Sequence, residues 1–76
     1  MDAVQLLIDA IAGEHGDIVA EQFTNSYENN DFEDQNENAL KLILTYLEKV
    51  KSAKVLENSV SIEIYDYISD LKDFLN

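Results

Sequence analysis

Residues 39–50 read ALKLILTYLEKV, and this stretch decides the fold. Its apolar side chains recur at the three- and four-residue spacing that gives a helix one buried face. That stripe consists of Leu40, Ile43, Leu44, Leu47 and Val50. Asn36 or Asn38 can cap the beginning of the helix, and lysines follow in its last turns, where the helix dipole favours cations. The pattern predicts a helix over residues 37–55.

Three further segments show the same helical spacing. Their apolar stripes are Val4, Leu7, Ile8 and Ile11 in the first, Val19, Phe23 and Tyr27 in the second, and Val60, Ile64, Tyr67, Ile68, Leu71 and Leu75 in the last. We therefore expect helices over residues 2–13, 17–29 and 59–75. The stretch VSIEIY at 60–65 alternates like a strand, but the chain has no second alternating run to pair with it, so a helix is favoured.

The helix boundaries are also readable from the sequence. Asp2 and Asp17 stand where N-caps belong, and Gly13 or Gly16 can end the first helix. With 76 residues the chain has room for one domain. We predict an all-α fold, a compact small bundle of about four helices with short connections, in one acidic domain over residues 1–76.

Composition excludes several kinds of site. The chain has no Cys and one His, which rules out thiolate zinc sites and sites of two or more imidazoles, and its two Gly are too few for a phosphate-binding loop. A calcium loop starting at Asp31 fails because Asn36 occupies the position of the required glycine. We expect no metal and no cofactor.

Catalytic and membrane roles find no support in the sequence either. His15 stands in the first interhelical turn, where a solvated residue is expected, and no serine lies in a nucleophile motif such as G-x-S-x-G. We expect no enzymatic activity. No apolar run reaches the length of a membrane span, and acid stands where a signal peptide carries lysine or arginine. We expect a cytoplasmic protein.

In length, acidity and helix number the chain resembles an acyl carrier protein. That family attaches its phosphopantetheine to the Ser of an Asp-Ser-Leu motif about midway along the chain. The sequence from Gln35 to Leu40 reads QNENAL at this place, with no Ser, and the serines elsewhere do not reproduce the motif. The carrier function therefore does not transfer to this chain.

Charge carries most of the functional signal. Asp and Glu number 16 against 5 lysines, for a net charge of −11, and no arginine is present. No lysine precedes residue 41, whereas this part of the chain contains Asp2, Asp9, Glu14, Asp17, Glu21, Glu28, Asp31, Glu33, Asp34 and Glu37. An acidic surface repels nucleic acid and anionic membranes and attracts basic partners. The charge also serves solubility, and both interpretations remain open from the sequence.

Two segments place aromatic residues among carboxylates, as a binder of a basic protein surface does. The candidate partner-binding residues are Glu28, Asp31, Phe32, Glu33, Asp34 and Glu37 in one segment, and Tyr65, Asp66 and Asp73 in the other. The sequence leaves open whether Phe32 contacts a partner or turns inward from a solvated loop. We expect Tyr65 on the outer face of the last helix and Tyr67 with Phe74 at the edge of the core.

Two functions are consistent with these features. The first is an acidic protein-binding inhibitor that blocks a basic surface, such as that of a nuclease or nucleoprotein complex, without contacting nucleic acid or membrane. Nuclease-toxin immunity proteins and phage anti-defence proteins (anti-CRISPR or DNA-mimic inhibitors) resemble this chain in type, being small, acidic and free of catalytic motifs. The second is a structural or adaptor subunit that assembles through an apolar helix face. We expect a monomer or a homodimer.

Overall fold

The apolar stripes form four helices in the computed structural model of the chain, which describes residues 3–53 and 58–76. The helices are α1 (Ala3–His15), α2 (Asp17–Asn29), α3 (Glu37–Ser52) and α4 (Asn58–Leu75). Neither described range contains a strand, and VSIEIY lies within α4. The predicted all-α bundle is confirmed. No helix in these ranges is long and apolar enough to span a membrane.

A single glycine connects α1 to α2. The Gly16 nitrogen donates to the Ala12 carbonyl at 2.9 Å, and the Gly16 carbonyl accepts from the Ala20 nitrogen at 3.2 Å, so one residue closes α1 and opens α2. Its φ of 97° is a conformation that side-chain-bearing residues rarely adopt. Gly16 is therefore the N-cap of α2, and the predicted N-cap, Asp17, is wrong because it already belongs to the first helical turn. Gly13 lies inside α1.

Two asparagines define the connection between α2 and α3. Asn30 ends α2 in the left-handed conformation, with φ of 52° and ψ of 35°. Asn36 caps α3, because its side-chain oxygen accepts a hydrogen bond from the Ala39 nitrogen at 3.1 Å. Of the two caps predicted for α3, Asn36 is thus the one used. The predicted cap Asp2, the predicted end of α3 at residue 55 and the side chain of Val60 lie outside the described residues.

The core contains side chains from all four helices. Its fully buried members are Ile11, Phe23, Leu40, Ile43, Leu47, Ile64 and Leu71, with Leu7 and Ile68 nearly so. Leu44 and Val50, which share the α3 stripe, are half-buried and pack against this cluster. Helix α3 packs against each of the other three helices. It therefore connects all parts of the bundle.

An aromatic cluster joins α2 and the following loop to α4. The Tyr67 ring lies edge-on to Phe23 at a centroid distance of 5.4 Å and contacts Phe32 at 5.7 Å. The Tyr67 hydroxyl shares a 2.6 Å hydrogen bond with the buried Ser26 hydroxyl. Burial raises the pKa of Tyr67 to about 12, and the Ser26 hydrogen bond opposes part of that rise. This cluster fixes the position of α2 beside α4.

Candidate functional site

The main candidate predicted from the sequence is the segment of residues 28–37, whose middle part, residues 30–36, forms the loop between α2 and α3 and is called the acidic loop. Several of its polar groups are used to hold its own shape. Asp31 Oδ1 accepts from the Asp34 nitrogen at 3.3 Å, and the Phe32 carbonyl accepts from the Gln35 nitrogen at 3.2 Å. At the far end of the loop, Gln22 Oε1 on α2 accepts from the Asn36 nitrogen at 2.7 Å. The loop is a hydrogen-bonded turn anchored to α2.

Phe32 points into the protein. Its side chain is 9% exposed, and its ring contacts Tyr67 and, at 5.5 Å between centroids, Phe74. Phe74 itself is 42% exposed, so it covers Phe32 and still reaches solvent. Of the two interpretations the sequence allowed for Phe32, the structure has the inward one, because the loop has no other apolar side chain to anchor it. Phe32 is therefore placed to support the loop from below.

The remaining acids of this segment point outward. Glu33, Asp34 and Glu37 are exposed. Glu37 lies in the first turn of α3, where a carboxylate is favoured by the helix dipole. Its charge therefore has a local structural use whether or not a partner binds.

A second acidic surface lies where the end of α2 passes α4. An open groove of about 420 Å³ separates the two elements there. We call it the α2–α4 groove; its lining residues are Tyr27, Glu28, Asn30, Glu63, Asp66, Tyr67 and Asp70. The groove brings together Glu28 and Asp66, one from each of the two segments that the sequence had singled out separately.

Among the side chains that the structure describes, the lining of the groove contains four carboxylates and no cation. Glu63 Oε2 accepts from the Tyr27 hydroxyl at 2.7 Å. Glu28, Asp66 and Asp70 are exposed, and within residues 3–53 and 62–76 none of the three has a hydrogen bond or ion pair to another side chain. The groove is thus a negatively charged surface beside two tyrosine rings.

This arrangement is locally unfavourable for folding. Glu28 stands in the last turn of α2, where the helix dipole disfavours an anion, and that turn contains no basic residue. Along α4, Glu63, Asp66 and Asp70 follow one another at spacings of three and four, which brings like charges together on one helix face. Departures from local preference concentrate at functional sites.

Tyr65 faces a different neighbour. It is 40% exposed, as predicted, and the Lys51 ammonium of α3 lies 4.9 Å from the centre of its ring. Lys72 of α4 pairs with Glu48 of α3 on the same flank. Tyr65 therefore lies at the α3 side of α4, whereas its neighbour Asp66 lines the groove on the α2 side. Asp73 is exposed and lines neither feature.

Five lining residues of the groove are not among the site residues predicted from the sequence, namely Tyr27, Asn30, Glu63, Tyr67 and Asp70. The spacing of Glu63, Asp66 and Asp70 was a usable signal, since it places three acids on one face of the last helix. Nothing in the sequence indicated that the end of α2 would lie beside that face. This pairing depends on the tertiary contacts of the aromatic cluster.

Other chemistry gains no support from the geometry. Across the described ranges, no three His, Asp or Glu side chains converge in a way that would hold a metal ion. His15 is half-buried at the end of α1, and its ring meets Tyr46 edge-on at 6.4 Å. It therefore packs at the α1–α3 contact.

No known protein family, curated protein or solved structure matches the chain.

Proposed function

We propose that this protein is a non-enzymatic inhibitor that binds a basic protein surface and blocks it. The observation that carries the proposal is the α2–α4 groove, whose described lining residues include four carboxylates and two tyrosines but no cation. The net charge of −11 adds long-range attraction toward a positive partner. Charge of this kind speeds encounter, and the aromatic residues beside it provide contact area that slows dissociation.

The partner class follows from the sign and density of this charge. Protein surfaces with concentrated positive charge are typical of proteins that handle nucleic acids, because they must neutralise phosphates. An acidic protein seated on such a surface excludes the nucleic acid by occupying its site. We therefore propose a nuclease or nucleoprotein complex as the target, with the protein acting as an immunity or anti-defence factor in the cytoplasm.

Affinity capture followed by an activity assay tests this proposal. The tagged protein is used to capture its partner from the native lysate at low salt, the partner is identified by mass spectrometry, and its nucleic-acid binding is measured with and without the purified protein. We expect a basic partner that is released by high salt and loses nucleic-acid binding stoichiometrically. A captured partner that binds nucleic acid equally well with the inhibitor present contradicts the proposal.

Assembly through apolar contacts is the second candidate. Within the described part of the chain, four large aliphatic side chains are exposed, namely Leu6, Ile18, Leu42 and Ile62, and Ile18 is the most exposed at 76%. They lie on four different helices. Light scattering at low and high salt separates the two functions, since a dimer that is insensitive to salt supports an adaptor and a salt-sensitive hetero-complex supports an inhibitor.

A further inference from the structure

We propose that the exposed ring of Phe74 is a contact point at which this protein receives a cationic side chain of its basic partner. This inference rests on the proposed function and adds to it the residue that is contacted. It names one docking surface, the open part of the Phe74 ring, and one kind of occupant, a cationic side chain presented by a protein surface.

The Phe74 ring is open to solvent and held in place from below. At 42% it is the most exposed aromatic side chain in the described part of the chain. Its ring lies against that of Phe32 at a centroid distance of 5.5 Å, and the Phe32 ring in turn contacts Tyr67 at 5.7 Å. Phe32 and Tyr67 are buried. The exposed ring is therefore oriented before a partner arrives, which lowers the entropic cost of binding there.

Tyr65, on the same helix, shows what an exposed ring of this protein attracts. It is exposed to a similar degree, and the Lys51 ammonium of α3 lies 4.9 Å from the centre of its ring. A cation is drawn to the face of an aromatic ring by the ring quadrupole. Lys72 is two residues from Phe74, but it pairs with Glu48 of α3. Within the described ranges no cation lies over Phe74, so this ring is available to a cation from another molecule.

The surroundings of Phe74 have the charge that such a cation requires. Asp70 lies one helical turn before Phe74 and also lines the α2–α4 groove. On the other side, Phe32 belongs to the acidic loop, in which Glu33 and Asp34 are exposed. A cation over Phe74 is thus flanked by the acidic loop and by the groove. The carboxylates attract it from a distance, and the ring provides the close contact.

Nuclear magnetic resonance of the full chain tests this inference through its three phenylalanines, Phe23, Phe32 and Phe74. The rings are labelled with carbon-13, and the probe is an oligo-lysine peptide at low salt. We expect nuclear Overhauser contacts between the Phe74 ring and the side-chain methylenes of the peptide. The buried rings of Phe23 and Phe32 serve as internal controls and should show no such contacts. Binding without contacts at Phe74, or no binding at all, would overturn the inference. This readout uses the unmodified chain and needs no variant to fold.

Matched variants make the test sharper. Phe74→Leu removes the ring and keeps an apolar side chain above Phe32, whereas Phe74→Tyr keeps the ring. Ile62→Ala is the control, because it truncates an apolar side chain of α4 that is 66% exposed and has no ring. We expect Phe74→Leu to weaken oligo-lysine binding about two- to fivefold, as the loss of an exposed cation–ring contact does, and Phe74→Tyr to retain most of the affinity. Equal affinities of the Phe74→Leu and Ile62→Ala variants would contradict the inference.

The two proposals fail in different ways. If the captured basic partner loses nucleic-acid binding but dissociates equally fast from the unmodified chain and from Phe74→Leu, the Phe74 contact is wrong and the inhibitor function stands. If the oligo-lysine peptide contacts Phe74 but no captured partner loses nucleic-acid binding, the inhibitor function is wrong and the Phe74 contact stands.

Discussion

The acidic loop and the α2–α4 groove are both rich in carboxylates, but the fold uses them differently. In the acidic loop, Asp31 closes a turn, and directly after the loop Glu37 lies at the favourable end of α3. In the groove, Glu28 lies at the unfavourable end of α2, and Asp66 and Asp70 repel each other along α4. The comparison shows that two equally acidic surfaces can differ in how far the fold itself accounts for their charges. Carboxylates that the fold does not need are the stronger indication of a binding surface.

Truncation of Phe32, the buried ring of the acidic loop, should cause the largest loss of stability. Phe32→Ala removes a buried ring that packs on Tyr67 and Phe74 and should lower the free energy of unfolding by about 3–5 kcal/mol. Urea denaturation followed by circular dichroism measures it. Phe74→Ala is the matched control, with a smaller loss because that ring is half in solvent. Equal, small losses in both would place Phe32 outside the core.

The next largest loss of stability should come from breaking the hydrogen bond between Ser26 of α2 and Tyr67 of α4. Ser26→Ala leaves the buried Tyr67 hydroxyl without this partner and should cost about 1–3 kcal/mol. Tyr67→Phe should cost less, because the Ser26 hydroxyl still donates to the Phe23 carbonyl at 3.1 Å. The double variant should cost less than the sum of the two, because the two side chains interact directly. Chemical denaturation of the two single variants and the double variant gives the free energies of unfolding for this double-mutant cycle. Strictly additive losses would mean that the two hydroxyls do not bond.

Alkaline pH should reduce the stabilisation that the buried Tyr67 hydroxyl provides. The pKa of Tyr67 rises from 10.0 to about 12 on folding, so unfolding releases the Tyr67 proton more readily at high pH. The stabilisation is complete below pH 10.0 and is lost as the pH rises toward about 12. The difference in unfolding free energy between the unmodified chain and Tyr67→Phe should therefore shrink over this range. A constant difference would contradict a buried, protonated Tyr67.

The smallest expected change is a gain in stability. Asp66→Asn with Asp70→Asn relieves like-charge repulsion on α4 and should raise stability by a few tenths of a kcal/mol, up to about 0.5. Thermal unfolding at low salt measures the gain, which should fade at high salt. Asp31→Ala is the comparison from the loop, and it should lower stability because it breaks the turn. A large loss in the groove variant would show that these acids serve the fold.

The fold was predictable because its signals are local. The stripes of α1 to α4 depend on spacing alone, and Asn30 and Asn36 end and begin helices through their own backbone and side-chain preferences. The N-cap of α2 was missed because Asp17 is a common capping residue, whereas the one-residue connection needed the positive φ of Gly16.

The site was less predictable because it depends on contacts between segments distant in sequence. The sequence predicts both Glu28 and Asp66 as partner-binding residues, but no local pattern indicates that they line one groove. Tyr65 and Asp66 are neighbours in sequence, but the helix turns them toward α3 and α2 respectively. The inward orientation of Phe32 likewise depends on contacts with the distant rings of Tyr67 and Phe74, which no local pattern predicts.

The most direct test of the central claim is the rate of association with the captured basic partner at low and at high salt. Three forms are compared. They are the unmodified chain, the groove variant Glu28→Gln/Asp66→Asn/Asp70→Asn, and a variant of the acidic loop and the first turn of α3, Glu33→Gln/Asp34→Asn/Glu37→Gln. The two variants remove equal charge. We predict that salt slows association of the unmodified chain, that both variants associate more slowly at low salt, and that the groove variant alone also dissociates much faster. Association that is independent of salt and identical in all three forms would contradict binding through the acidic surface.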